Sequence, residues 1–97
     1  MIGDFEPSII KTKGFEVGLM KHQVGEKPAP HTHRLVTEIN LVVKGKVSIA
    51  NYNQYFVYLP GDIFVLEPGD PSYPYFYEDT EIVCIKIPSV PDDKELI

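Results

Sequence analysis

The chain has 97 residues, which is enough for one domain but too short for two domains with separate cores. Its composition is globular, since hydrophobic residues make up 43% and charged residues 24%. Fourteen acidic against nine basic residues give a net charge of −5, and the stretch 47–85 contains no lysine or arginine. This charge balance argues against nucleic acid as a partner.

The sequence also argues against membrane and disulfide-rich classes. No apolar run approaches the roughly 20 residues that span a bilayer, and the N-terminus lacks the basic and then apolar pattern of a signal peptide. The single cysteine, Cys84, excludes an internal disulfide and fits a reducing compartment. We therefore expect a cytoplasmic protein with no membrane partner, in which Cys84 is a buried strand residue.

Frequent glycines and prolines divide the chain into short segments rich in Val, Ile, Tyr and Phe, which favours strands over helices. Their spacing is typical of a sandwich or barrel. The predicted strands are 8–12, 15–22, 31–35, 37–43, 46–50, 55–58, 62–66, 72–77 and 80–87. On the last strand we expect Val83, Ile85 and Ile87 to face the core, followed by a packed or frayed tail.

Two histidines and a glutamate form the pattern that carries chemistry. His31 and His33 are two residues apart, so both point to the same side of an extended strand. Glu38 follows after a short turn, where a neighbouring strand can bring its carboxylate to the same place. Such a set suits a divalent transition metal with open positions for water or substrate. The competing interpretation places the histidines on the surface and Glu38 on the solvent side of its strand.

The spacing of this pattern resembles the first conserved motif of the cupin superfamily. The anchor positions of that motif are matched by Gly25, His31, His33, Glu38 and Gly45. The segment 61–69 resembles the start of the second cupin motif, with Gly61 and Gly69 in its turns. The resemblance implies one all-β domain with a small jelly-roll-like barrel, in which 1–24 supply N-terminal strands, 25–77 the motif-bearing core and 78–97 the final strand and tail. Glycines 25, 45, 61 and 69 would serve as structural turns.

The resemblance also implies a fourth metal ligand, a histidine, at the position that Ser72 occupies here. Serine is a poor ligand for a divalent transition metal, so three outcomes stay open. The metal (Fe, Mn, Ni or Zn) has three protein ligands and more bound water; or Asp70 or Tyr75 substitutes; or metal binding is lost. His22, at the end of a predicted strand, is a further candidate pocket residue.

Two functions from different classes follow. The first is a metal-binding protein with a small-molecule pocket, which as an enzyme would be an oxygenase, isomerase or lyase. The second is a metal-free binding module for a sugar or another small ligand, favoured by Ser72 and by the concentration of aromatic residues in the stretch 52–77. A short chain with long β edges, and the resemblance itself, predict a homodimer.

Overall fold

The computed structural model describes residues 2–4, 6–28, 31–51, 54–91 and 93–96, and at 31, 51 and 94–96 it describes the backbone alone. All regular structure in these residues is β-strand, so the predicted all-β class is confirmed. No helix that is long and apolar enough to cross a membrane occurs in this part of the chain. The cytoplasmic location stays a prediction.

Eleven strands are present in the described residues. They are β1 (Ile2–Gly3), β2 (Ile10–Lys11), β3 (Glu16–His22), β4 (His31–His33), β5 (Thr37–Lys44), β6 (Val47–Asn51), β7 (Gln54–Tyr58), β8 (Ile63–Leu66), β9 (Tyr73–Phe76), β10 (Thr80–Ile87) and β11 (Lys94–Leu96). Each of the nine predicted strands corresponds to one of these. The terminal strands β1 and β11 were not predicted.

The strands form two packed layers. Six of them make one sheet in the order β2-β1-β3-β10-β5-β8, and three make a second sheet in the order β7-β6-β9. A two-stranded pair, β11-β4, completes the described topology. Apolar side chains from the large sheet, including Val42 and Ile82, pack against Val47, Ile49 and Phe76 of the small sheet to form the core. The arrangement is jelly-roll-like, with hydrogen bonds in separate sheets rather than around one closed barrel.

The expected orientation of β10 is wrong. Ile82 and Cys84 are the buried residues, whereas Val83 and Ile85 are half-buried and Ile87 is 47% exposed. Both faces of this strand carry apolar residues, so the period-two pattern alone does not show which face is the inner one. The polar residues Thr80 and Lys86 lie on the inner face. Polar residues are typical of an outer face, so the sequence pattern indicates the wrong orientation of this strand.

The four glycines assigned to turns, Gly25, Gly45, Gly61 and Gly69, all have positive φ angles, between 78° and 96°. Gly45, which joins β5 to β6, is also held against the backbone of a neighbouring turn. A Cβ atom at this position would lie 2.4 Å from the Asp79 carbonyl oxygen and 2.7 Å from Thr80 Cα. At Gly61, which has φ +94°, a Cβ atom would meet nothing within 4 Å.

These two glycines give a matched test of close approach against backbone conformation. We expect Gly61→Ala to lower the free energy of unfolding by about 1–2 kcal/mol, the cost of a left-handed conformation alone. Gly45→Ala adds an overpacking cost, so its loss should reach about 2–5 kcal/mol. Urea unfolding of both variants measures the difference, and equal losses would contradict this account of the turn.

Candidate functional site

The centre of the candidate site is a buried pair formed across the turn between β4 and β5. His33 is 4% exposed and Glu38 is 6% exposed. His33 Nε2 lies 2.8 Å from Glu38 Oε2. Neither residue is therefore on the surface, and the interpretation that placed Glu38 on the solvent side of its strand does not hold.

His31 begins β4, and its backbone pairs with Leu96 of β11. Its side chain lies outside the described residues, so the convergence of His31 with the buried pair stays a prediction. Within the described side chains, no group of three or more His, Cys, Asp and Glu residues is placed to hold a metal ion. What the structure brings together is His33 and Glu38.

The surroundings of Glu38 keep its carboxyl group ionised. Burial acts to raise the pKa of Glu38, but the hydrogen bond and charge of His33, the charge of Lys86 and the Asn40 amide act in the opposite direction and outweigh it. The net result is a pKa below the ordinary value for glutamate. A charged carboxylate is thus present in the interior at neutral pH, where it can serve as a ligand or as a hydrogen-bond acceptor.

A cavity of about 120 Å³ lies between the two layers, next to this carboxylate. Its lining is mainly apolar, with a polar strip on one wall that is formed by Glu38 and Asn40 of β5 and Lys86 of β10. The lining residues are Met20, His22, Pro28, Glu38, Asn40, Ile49, Phe64, Leu66, Ser72, Pro74, Phe76, Ile82 and Lys86. The cavity has room for several water molecules or for a ligand of a few heavy atoms. Apolar walls with a few convergent polar groups are the usual character of a small-molecule site.

Two polar residues of this wall, Asn40 and Lys86, were not identified from the sequence. Asn40 follows Glu38 by two residues on β5, and Lys86 is the residue opposite Glu38 on β10. The period-two rule could have found Asn40, because residues two apart share a face of the sheet. Lys86 could not be found in that way, since its place depends on the register between two strands that are distant in sequence.

The four further candidate residues divide into two pairs. Ser72 and His22 line the cavity; Ser72 is buried, and the His22 ring stacks on Phe76 at 4.2 Å between ring centroids. Asp70 instead accepts a hydrogen bond from the Glu67 backbone N–H within its own turn, at 2.9 Å.

Tyr75 likewise lies away from the cavity. Its ring packs edge-on against Tyr77 at 4.8 Å between centroids, and Lys27 Nζ lies over it at 5.4 Å. Neither Asp70 nor Tyr75 is among the residues that line the cavity. The structure thus does not bring to the site either of the two residues expected to substitute for the absent fourth histidine.

Cys84 lies on β10, near Glu38 of the neighbouring strand β5, and is buried. Burial, followed by the negative charge of Glu38, raises the pKa of its thiol to about 12. The nucleophilic thiolate is therefore scarce at neutral pH, and Cys84 acts as a small core residue, as expected.

Asp93, from the tail of the chain, fixes the turn that joins His33 to Glu38. Its buried Oδ2 atom accepts hydrogen bonds from the backbone N–H groups of Leu35 at 2.9 Å and Val36 at 3.1 Å. The strand that follows it, β11, pairs with β4 in antiparallel register. The sequence left open whether the tail is packed or frayed; the structure shows that it is packed and supports the histidine strand.

We expect Asp93→Ala to lower the free energy of unfolding by about 2–3 kcal/mol, because two backbone donors lose a charged acceptor in a buried place. Asp62→Ala is the control, since the Asp62 carboxylate accepts one hydrogen bond, from the Leu59 N–H, in an exposed turn. Its loss should be about 1 kcal/mol or less. Denaturant unfolding measures both, and a loss for Asp93→Ala no larger than the control's would show that the tail does not support the turn.

Comparisons with known proteins agree with this architecture. No protein-family model and no curated protein sequence matches the chain. Many solved structures resemble it, among them the following three. A cupin-2 domain-containing protein from Shewanella frigidimarina has a TM-score of 0.71 and 23% identity, with 81% of this chain and 76% of that chain covered. KdgF from Halomonas sp. has a TM-score of 0.77 and 23% identity, covering 84% and 74%. An uncharacterized conserved protein with a double-stranded β-helix domain from Klebsiella pneumoniae has a TM-score of 0.78 and 19% identity, covering 91% and 78%.

These likenesses establish the fold. The chain has the jelly-roll, double-stranded β-helix architecture of the cupins, and the resemblance found in its sequence motifs is confirmed at that level. At identities below 25% they carry no statement about metal, substrate or reaction.

Proposed function

We propose that this protein is a metal-binding cupin with a small-molecule pocket, in which His31, His33 and Glu38 hold a divalent transition metal. The observation that carries the proposal is the buried His33–Glu38 pair beside an apolar cavity. A charged carboxylate inside a small β domain is costly unless a partner compensates it. Coordination of a cation gives that carboxylate a function as well as a partner.

The described residues fit such an ion in two respects. Imidazole and carboxylate are the donors that Fe, Mn, Ni and Zn accept in proteins. The 2.8 Å between His33 Nε2 and Glu38 Oε2 is also close to the roughly 2.9 Å that separates adjacent ligands at right angles, given bonds of about 2.0–2.1 Å. The two groups can therefore exchange their mutual contact for a shared ion with little movement.

When bound, the metal would supply a Lewis acid next to the cavity. The protein's own groups would do the rest. His33 and Glu38 would orient the ion, the apolar walls would exclude water from a bound molecule, and Lys86 would offset part of the carboxylate charge. An oxygenase, an isomerase and a lyase are each compatible with this arrangement.

Metal content tests this proposal. We expect the protein purified without chelators to bind close to one equivalent of Mn, Fe, Ni or Zn, measured by elemental analysis and by titration of the EDTA-treated protein. His33→Ala and Glu38→Gln should weaken binding at least about 100-fold, because loss of even an outer-shell partner costs 10–100-fold. Glu67→Gln, which alters an exposed carboxylate, is the control. If the unmutated protein takes up none of these metals, the metal proposal is wrong.

A metal-free binding module is the second candidate function. It is favoured by the buried Ser72, which stands where a fourth histidine is expected, and by the His33–Glu38 contact, which already gives each residue a partner. Under this hypothesis the cavity binds its ligand through the apolar walls and the polar strip. A ligand-induced rise in melting temperature that EDTA leaves unchanged would favour this function over the first.

We further propose that the protein is a homodimer whose interface is the outer face of the large sheet. Two apolar rows cross β3, β10, β5 and β8 in register. The first row is Leu19, Val83, Leu41 and Ile63, and the second is Val17, Ile85, Ile39 and Val65. All eight side chains are partly or largely exposed.

The size and chemistry of this face favour a second copy as its partner. Four of these side chains are exposed and four are half-buried, and together they leave on the order of 250–500 Å² of apolar surface, which matches the largest patches on monomers. With a polar rim it approaches the roughly 800 Å² per partner of a stable interface. An uncharged patch is complementary to itself across a two-fold axis, so no like charges meet.

We expect the protein to sediment as a dimer and Ile63→Lys to shift it to monomer, because a lysine would then be buried within the interface. Val57→Lys is the control, since Val57 is an exposed apolar residue of β7 in the other sheet. Sedimentation velocity measures the mass of each variant. A monomeric unmutated protein, or equal effects of the two substitutions, would contradict this interface.

A further inference from the structure

The strand β7 forms an open edge of the small sheet. It is five residues long and lies at the end of the strand order β7-β6-β9. In the described part of the chain, no strand pairs with its outer side. The stretch 47–61, which includes β7, contains no charged residue, and Tyr55, Phe56 and Val57 are exposed. The edge is therefore apolar as well as open.

The hydrogen-bonding register shows which backbone groups of β7 point away from the sheet. The Tyr77 N–H donates to the Lys46 carbonyl at 2.9 Å, so Lys46 faces β9. Successive residues of an inner strand bond alternately to its two neighbours, so the odd-numbered residues of β6 face β7. Their partners on β7 are Gln54, Phe56 and Tyr58. The N–H and C=O groups of Tyr55 and Val57 therefore point to the open edge.

The other edge of the same sheet is blocked. By the same alternation, Pro74 and Phe76 of β9 direct their backbone groups away from β6. Pro74 has no N–H to donate, and the Phe76 carbonyl accepts a hydrogen bond from the Gly25 N–H at 2.8 Å. Prolines, charged residues and covering loops are the usual protection of sheet edges. Among the described residues β7 has none of these, so this edge is ready to pair with another strand.

The charges beside β7 favour a basic partner. Asp62 lies just beyond the end of β7, where its carboxylate accepts a hydrogen bond from the Leu59 N–H at 2.8 Å. Lys46, which precedes β6, is directed to the β9 side, with its Nζ over the Tyr77 ring at 5.1 Å. The chain has a net charge of −5 and no lysine or arginine in 47–85. A second copy would add the same acidic excess, whereas a basic strand is attracted by it.

We propose that β7 is the docking site for an extended, basic peptide segment of another protein, which joins the small sheet as a fourth strand. The four N–H and C=O groups of Tyr55 and Val57 bond to the added strand, and its apolar side chains pack beside those of β7. The inference concerns the small sheet alone, so it does not depend on the cavity, on a metal or on the dimer proposed for the large sheet.

Amide hydrogen exchange with a model peptide tests the inference. The probe is the peptide KKVTVTVKK, and its control carries methyl groups on the five central backbone nitrogens, which keeps the charges and side chains but removes the donors. At saturating probe we expect exchange of the Tyr55 and Val57 amide protons to slow at least about 5-fold in ¹H–¹⁵N spectra, because both become hydrogen-bonded. The Phe56 amide, already bonded to β6, should change less than two-fold. The methylated peptide should leave all three unchanged.

Two substitutions at one position separate the backbone donor from the side chain. Val57→Pro removes an N–H that points to the open edge and leaves the β6–β7 hydrogen bonds in place. It should weaken binding of labelled probe about 5-fold, measured by fluorescence anisotropy, whereas Val57→Ala, which keeps the N–H, should weaken it about two-fold or less. The acidic peptide EEVTVTVEE should bind at least about 5-fold more weakly than the probe at low salt.

Several results would overturn the inference. They are a probe that leaves the Tyr55 and Val57 amides unprotected, a methylated peptide that protects them equally well, and equal effects of Val57→Pro and Val57→Ala. Equal binding of the acidic peptide would overturn the basic partner. Slow exchange at Tyr55 and Val57 without peptide, increasing with protein concentration, would show that a second copy occupies the edge instead. The spectra of the unmutated protein decide this even if Val57→Pro does not fold.

Discussion

The compensation of one buried carboxylate organises this site. Glu38 projects from β5 into the interior, and an isolated charge there would be strongly unfavourable. Three neighbours from three places in the chain offset it: His33 from β4, Asn40 from the same strand and Lys86 from β10. The hydrogen-bonded register between β5 and β10 places Lys86 opposite Glu38. The pairing of these two strands therefore also determines the electrostatics of the site. A shift of that register by one residue would turn Lys86 outward and leave the carboxylate with its two local partners.

The support of the site comes from the end of the chain. The turn between His33 and Glu38 is short, and its backbone donors at Leu35 and Val36 need acceptors that a turn alone does not provide. Asp93 supplies one carboxylate oxygen to both, and β11 continues the contact along β4. The two residues of the central pair are thus held by a segment nearly sixty residues away. Packing adds to this, since Val36 is almost fully buried beneath the turn.

Local pattern predicted much of this structure. Period-two alternation and the spacing of glycines predicted nine of the eleven described strands and the four turns at Gly25, Gly45, Gly61 and Gly69, because both depend on neighbours in the chain. The spacing of His33 and Glu38 predicted their convergence for the same reason. Residues whose roles depend on distant partners were not predicted. They are Lys86, whose partner is set by the register between strands, and Asp93, whose partners are two backbone groups in another turn. The inner face of β10 was predicted wrongly, because Val83 and Ile85 are apolar as members of the outer rows rather than of the core.

The two candidate functions differ in what balances Glu38 and Glu16. Lys86 lies between these carboxylates, so one cation faces two negative charges beside the cavity. In a metal-binding protein, a divalent cation held by His33 and Glu38 would offset the remaining negative charge. In a metal-free module, the contacts of Glu38 with His33, Asn40 and Lys86 alone would compensate its charge.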